Sequence, residues 1–71
     1  MNDEYINLLI LRNMAEGIRS YAENTAATYC AHGRQGTSKE ILNAASLFSY
    51  AAEHLELAIS KEREAEKKEG A

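Results

Sequence analysis

Three side chains in this chain could act as nucleophile, base or soft metal ligand near neutral pH: Cys30, His32 and His54. A thiolate beside an imidazole is the beginning of a nucleophilic site, and Cys30 and His32 stand two residues apart. Such a site also needs an oxyanion hole and a walled cleft, and nothing around these residues supplies either. Cys30 therefore reads as a structural or incidental thiol. One cysteine and two histidines make a poor zinc set, and no internal disulfide is possible. No glycine loop has phosphate-binding spacing, and no inward carboxylate pair accompanies a histidine. The expectation is of no enzyme, no metal and no cofactor.

Two arginines offer a different chemistry. Arg12 and Arg19 lie seven residues apart, with Asn13 and Ser20 beside them, a polar strip that could follow a phosphate backbone. The plainer reading pairs Arg12 with Glu16 and Arg19 with Glu23 at i,i+4, giving an ordinary solvated face. The formal net charge of −3 also disfavours attraction to nucleic acid or anionic lipid. His54 sits among Leu47, Tyr50 and Leu57, as a packed rim residue or a pH-sensitive contact. His32 is most simply a cation at the end of a helix, next to Gly33.

These residues must be carried by helices. There is no proline, and apolar residues recur every three and four positions. The first helix is expected over about residues 3–31, with Asn2 and Asp3 as caps and Glu4 at the positive end of the dipole. Its heptad seam is Leu8, Leu11, Ala15, Ile18, Ala22, Thr25 and Tyr29, widened by Met14, Tyr21 and Thr28. Gly17 is out of place there, at a cost of about 1 kcal/mol relative to alanine. A loop over residues 32–37 follows, with Gly33 as a left-handed C-cap. Thr37-Ser38-Lys39-Glu40 then reads as a capping box, with Ser38 as the alternative cap. The second helix runs over about residues 38–66. Its charged end, Lys61 to Glu69, is expected to fray, with Glu64 and Lys68 as an i,i+4 pair.

The second helix has more apolar surface than one partner helix can cover. Its main stripe is Ile41, Ala45, Phe48, Ala52, Leu55 and Ile59. A second stripe, Leu47, Tyr50, His54 and Leu57, lies roughly 140° away at ~100° per residue. Ala44, Ala51 and Ala58 fill the arc between. Alanines on both helices allow close approach, which leaves the large residues for another surface. A chain of 71 residues has a core that is marginal alone, and oligomerisation is the support that remains. The predicted fold is all-α: one domain over residues 1–71, an antiparallel helical hairpin that forms a homodimeric four-helix bundle. Leu47, Phe48, Tyr50, Leu55 and Leu57 are the expected dimer interface.

The cluster Ile6, Leu8, Leu9, Ile10 and Leu11 points nearly all round its helix, more than one seam covers. Tyr5, Leu9 and Ile10 are therefore the expected anchors for a further protein partner. The architecture is similar to small helical-hairpin dimers, among them plasmid-type RNA modulators and phage-encoded inhibitors of host regulators. That likeness is one of fold and carries little about function. The leading expectation is a small homodimeric adaptor or inhibitor that binds another protein. The alternative is a dimeric hairpin that binds RNA through Arg12 and Arg19. A single free thiol fits the cytoplasm, and the run Ile6–Leu11 is too short for a membrane span.

Overall fold

The computed structural model describes residues 3–70. It contains two helices, α1 (Asp3–Ala31) and α2 (Gln35–Gly70), packed as an antiparallel hairpin. The hairpin is a rod of 58 × 16 × 11 Å, too thin to enclose a cavity.

The turn is fixed by one glycine. Gly33 has φ = 80°, a left-handed value that an L side chain adopts only at a cost, as the C-cap reading requires. The Gly33 N–H donates to the Cys30 carbonyl at 3.0 Å and the Arg34 N–H to the Tyr29 carbonyl at 2.9 Å. These are the two bonds of a Schellman motif, and they satisfy carbonyls that the end of α1 leaves open.

α2 begins earlier than the capping box implies. The Ser38 N–H donates to the Arg34 carbonyl at 3.0 Å, so the helix is already under way at Gln35 and the loop shrinks to residues 32–34. Thr37 and Ser38 lie inside the first turn and neither is the cap. Ser38 is instead buried, and its hydroxyl donates to the Ala26 carbonyl at 2.8 Å, across the hairpin. A cross-helix bond of this kind has no spacing signature in the sequence.

The seam between the helices is made of small residues. Ala15 and Ala26 of α1 and Ala45 and Ala52 of α2 are buried, closed at the far end by Ile59 and Tyr5. The main stripe of α2, from Ile41 to Ile59, is buried or half-buried throughout, as its periodicity predicts. On α1 the seam is rotated from its expected position. Leu8, Ala15, Ala22 and Thr25 are covered, but Leu11, Ile18 and Tyr29 are exposed, and Arg12 and Arg19 are half-buried in their place. The physical reason is size: alanine packs against alanine at a close helix spacing, and the arginine stems lie along the edge of that seam.

Cross-helix contacts fix the register. Tyr5 meets Arg63, Arg12 meets Glu56 and Ala26 meets Ser38. Leu11 is consequently near the level of Leu57.

Candidate functional site

Charge is segregated by the hairpin. Between residues 5 and 31 the charged residues are Arg12, Glu16, Arg19 and Glu23, and between 41 and 60 they are Glu53 and Glu56. The ion pair of Arg12 with Glu56, 2.7 Å, joins the two helices on one side of the seam. Glu16, Arg19, Ser49 and Glu53 line a cleft of about 140 Å³ on that same side. Glu23, seven residues beyond Glu16, continues it at ~100° per residue.

This corrects the expected i,i+4 pairing. Among the described residues, the ion pair that forms is Arg12 with Glu56 rather than Arg12 with Glu16, Arg19 with Glu23 or Glu64 with Lys68. The hydrogen bond to Glu56 raises the pKa of the Arg12 guanidinium and holds the head against α2. The ε N–H groups of Arg12 and Arg19 are sheltered by the hairpin without a protein acceptor. With three carboxylates around Arg19, this side is acidic and does not present a row of free cations to a phosphate backbone.

The opposite side carries no formal charge between those limits. Seen from its own N-terminus, each helix places its second apolar stripe counter-clockwise of its seam. Because the helices are antiparallel, Leu11 and Ile18 of α1 and Leu47 of α2 fall on the same side. Leu11 and Ile18 occupy the middle of this face on α1. From α2, Leu47 and the half-buried Phe48 and Leu55 complete the middle. Met14 and Tyr21 lie further round α1, and at ~100° per residue Tyr50 and Leu57 lie on the side of α2 opposite the seam. Tyr21 is 76% exposed, Leu47 71% and Tyr50 62%, high values for side chains of this size.

Two polar residues are accommodated on that face. The Thr25 hydroxyl donates to the Tyr21 carbonyl at 2.8 Å, which uses its donor within the helix. The His54 ring stands edge-on to Tyr50, with centroids 4.5 Å apart, and so belongs to an aromatic pair.

The expected partner anchors are not brought together. Tyr5 is only 7% exposed, and its hydroxyl accepts a hydrogen bond from Arg63, so it is a core residue rather than an exposed aromatic. Leu9 is half-buried on the charged side, and Ile10 is exposed at the outer edge of α1. Ile6, one turn before Ile10, is also exposed. The α1 half of the uncharged face, Leu11, Met14, Ile18 and Tyr21, was assigned by periodicity to the hairpin seam. Its signal was the absence of any charged residue on that arc.

At the turn, His32 shares an open depression with Thr28, Tyr29 and Arg34, while the Cys30 thiol is exposed and does not line it. Among the described residues no group of three His, Cys, Asp or Glu could hold a metal ion. Among them, too, no helix is long and apolar enough to cross a membrane. No family model, curated protein or solved structure matches this chain.

Proposed function

We propose that this chain is a small non-enzymatic protein-interaction module, a homodimeric helical adaptor or inhibitor that engages a further protein. The observation that carries this reading is the uncharged face. Leu11, Ile18 and Leu47 are exposed on it, and Met14, Tyr21, Tyr50 and Leu57 are exposed further round the two helices. A contiguous apolar patch on a soluble chain marks an interaction surface. Among the described residues the buried apolar side chains other than alanine are Tyr5 and Ile59, so the hairpin's own core is small. Pairing with a second copy, to give a four-helix bundle, addresses both facts.

Leu9 and Ile10 lie outside the middle of that face, and we assign them to the further protein. The exposed, single Cys30 suits a reducing compartment such as the cytoplasm. RNA binding through Arg12 and Arg19 is the weaker reading, because Glu56 holds Arg12 and carboxylates surround Arg19.

The test is affinity capture of the tagged chain from a lysate, with and without nuclease, using wild type and Leu9→Ser/Ile10→Ser. Protein that survives nuclease and is lost with the double variant supports the adaptor reading. Capture that depends wholly on nucleic acid overturns it.

A further inference from the structure

We propose that a second copy lies antiparallel on the uncharged side, with its turn over the open end of the first. This rests on the homodimer reading above and adds the orientation of the two rods. The ground is the order of charges along that side. Each helix carries a stripe of seven-residue spacing beside the seam, Leu11, Ile18 and Thr25 on α1 and Ile41, Phe48 and Leu55 on α2. At ~100° per residue, Glu4 continues the first stripe at the open end and Glu62 continues the second. At the turn end, His32 and Arg34 share a depression with Thr28, which is one helical turn beyond Thr25. One side of the rod is therefore acidic at the open end, uncharged in the middle and basic at the turn.

These end charges are not used within the hairpin. Among the described residues, Glu4, Arg34 and Glu62 form no ion pair with another part of the chain. No carboxylate lies between Glu23 and Glu40 to offset Arg34. At the open end Arg63 is held by Tyr5 at the seam, and Lys61, seven residues beyond His54, lies further round α2.

The charges are also placed symmetrically. Glu4 and His32 stand fourteen residues either side of Ile18, and Arg34 and Glu62 fourteen either side of Phe48. Ile18 lies between Arg12, which meets Glu56, and Ala26, which meets Ser38, so Ile18 and Phe48 stand near one level. A twofold axis at that level, at right angles to the rod, sets α1 on α1 and α2 on α2 of the second copy. It brings Glu4 against His32 and Arg34 against Glu62 at both ends. The parallel arrangement puts turn on turn and carboxylate on carboxylate, which is repulsive.

Sedimentation equilibrium on Arg34→Glu, Glu62→Arg and the swap Arg34→Glu/Glu62→Arg tests the pairing. Each single variant sets like charges together at both ends and should weaken dimerisation by about tenfold. The swap restores opposite charges and should recover the wild-type mass. Residues 34 and 62 are ~42 Å apart along the rod, so no contact within one chain can produce that rescue. Single variants that dimerise like wild type, or a swap no better than either, overturn the antiparallel seat.

A nitroxide on Cys30, the chain's single cysteine, reads the orientation directly by pulsed dipolar spectroscopy. Cys30 is exposed and does not line the depression, so the label leaves both charged ends intact. In the antiparallel dimer the labels are ~36 Å apart along the rod, and the width of the two hairpins brings the distance above ~40 Å. Labels at about 30 Å or less, the width alone at this scale, mean turn beside turn, which overturns the antiparallel seat and keeps the homodimer. A folded wild-type chain that is monomeric at micromolar concentration overturns both and leaves the face to another protein.

Discussion

The ε N–H of Arg63 donates to the hydroxyl of Tyr5 at 2.8 Å, joining the start of α1 to the charged end of α2. The two residues are 58 positions apart. The bond explains why Tyr5 points inward, and it anchors a segment whose sequence alone suggests fraying. Tyr5→Phe keeps the ring and removes the acceptor. It should lower stability by about 1 kcal/mol, in the usual range for one hydrogen bond. Amide exchange over residues 60–68 should quicken while exchange near the turn stays unchanged. Equal exchange in the two proteins would mean that the end of α2 is held by packing alone.

Gly33 and Gly17 should respond to alanine with opposite signs. At Gly33 the cost is conformational, because φ = 80° is unfavourable for any Cβ, and Gly33→Ala should destabilise by about 1 kcal/mol. At Gly17 a Cβ would meet nothing within 4 Å, and Gly17→Ala should stabilise the helix by up to ~1 kcal/mol. Thermal melts at matched protein concentration check both. If Gly17→Ala instead lowers the dimer mass, the backbone of a second copy approaches at that point.

Ala45 is 3% exposed at the centre of the seam. Ala45→Leu should splay the helices and destabilise by roughly 1–3 kcal/mol, as overpacking does in a tight interior. Urea denaturation gives the value. A neutral result would show that the helices have room to spare at this level.

Arg12 and Glu56 form their ion pair at the solvent edge of the hairpin. A double-mutant cycle with Arg12→Ala and Glu56→Ala should give a weak coupling that fades in high salt. Arg12→Ala/Arg19→Ala should preserve dimer mass and partner capture. Tight RNA binding that this double variant abolishes would favour the nucleic-acid reading.

Much of the hairpin was legible from spacing: α1 ends at Ala31, Gly33 takes the left-handed conformation, and the main stripe of α2 faces α1. The rotation of α1 was not. Hydrophobic periodicity weights a leucine above an alanine, so it assigned Leu11 and Ile18 to the seam. Close helix packing reverses that preference, because small residues permit the approach and large ones prevent it. Ser38 was misread for a related reason. A serine at the start of a helix looks like a cap, and only the three-dimensional register places the Ala26 carbonyl within reach of its hydroxyl. For the candidate site, the α2 half was read from its excess apolar arc. The α1 half falls within the seam that periodicity predicts, and Tyr5 reads as exposed because its partner, Arg63, lies at the other end of the chain.

The three-residue turn around Gly33 also sets an order of assembly in time. It closes the shortest loop in the molecule, and each cross-helix contact beyond it spans a longer stretch of chain: Ser38 with Ala26, then Glu56 with Arg12, then Arg63 with Tyr5. Closure entropy rises with span, so the pairing should zip outward from the turn and seal last at Tyr5. A hairpin that must also find its twin to complete its core would show two kinetic regimes. The early zipping step should be independent of protein concentration. The later docking step should accelerate in proportion to it, which makes the rate of refolding a gauge of how strongly the two events are coupled.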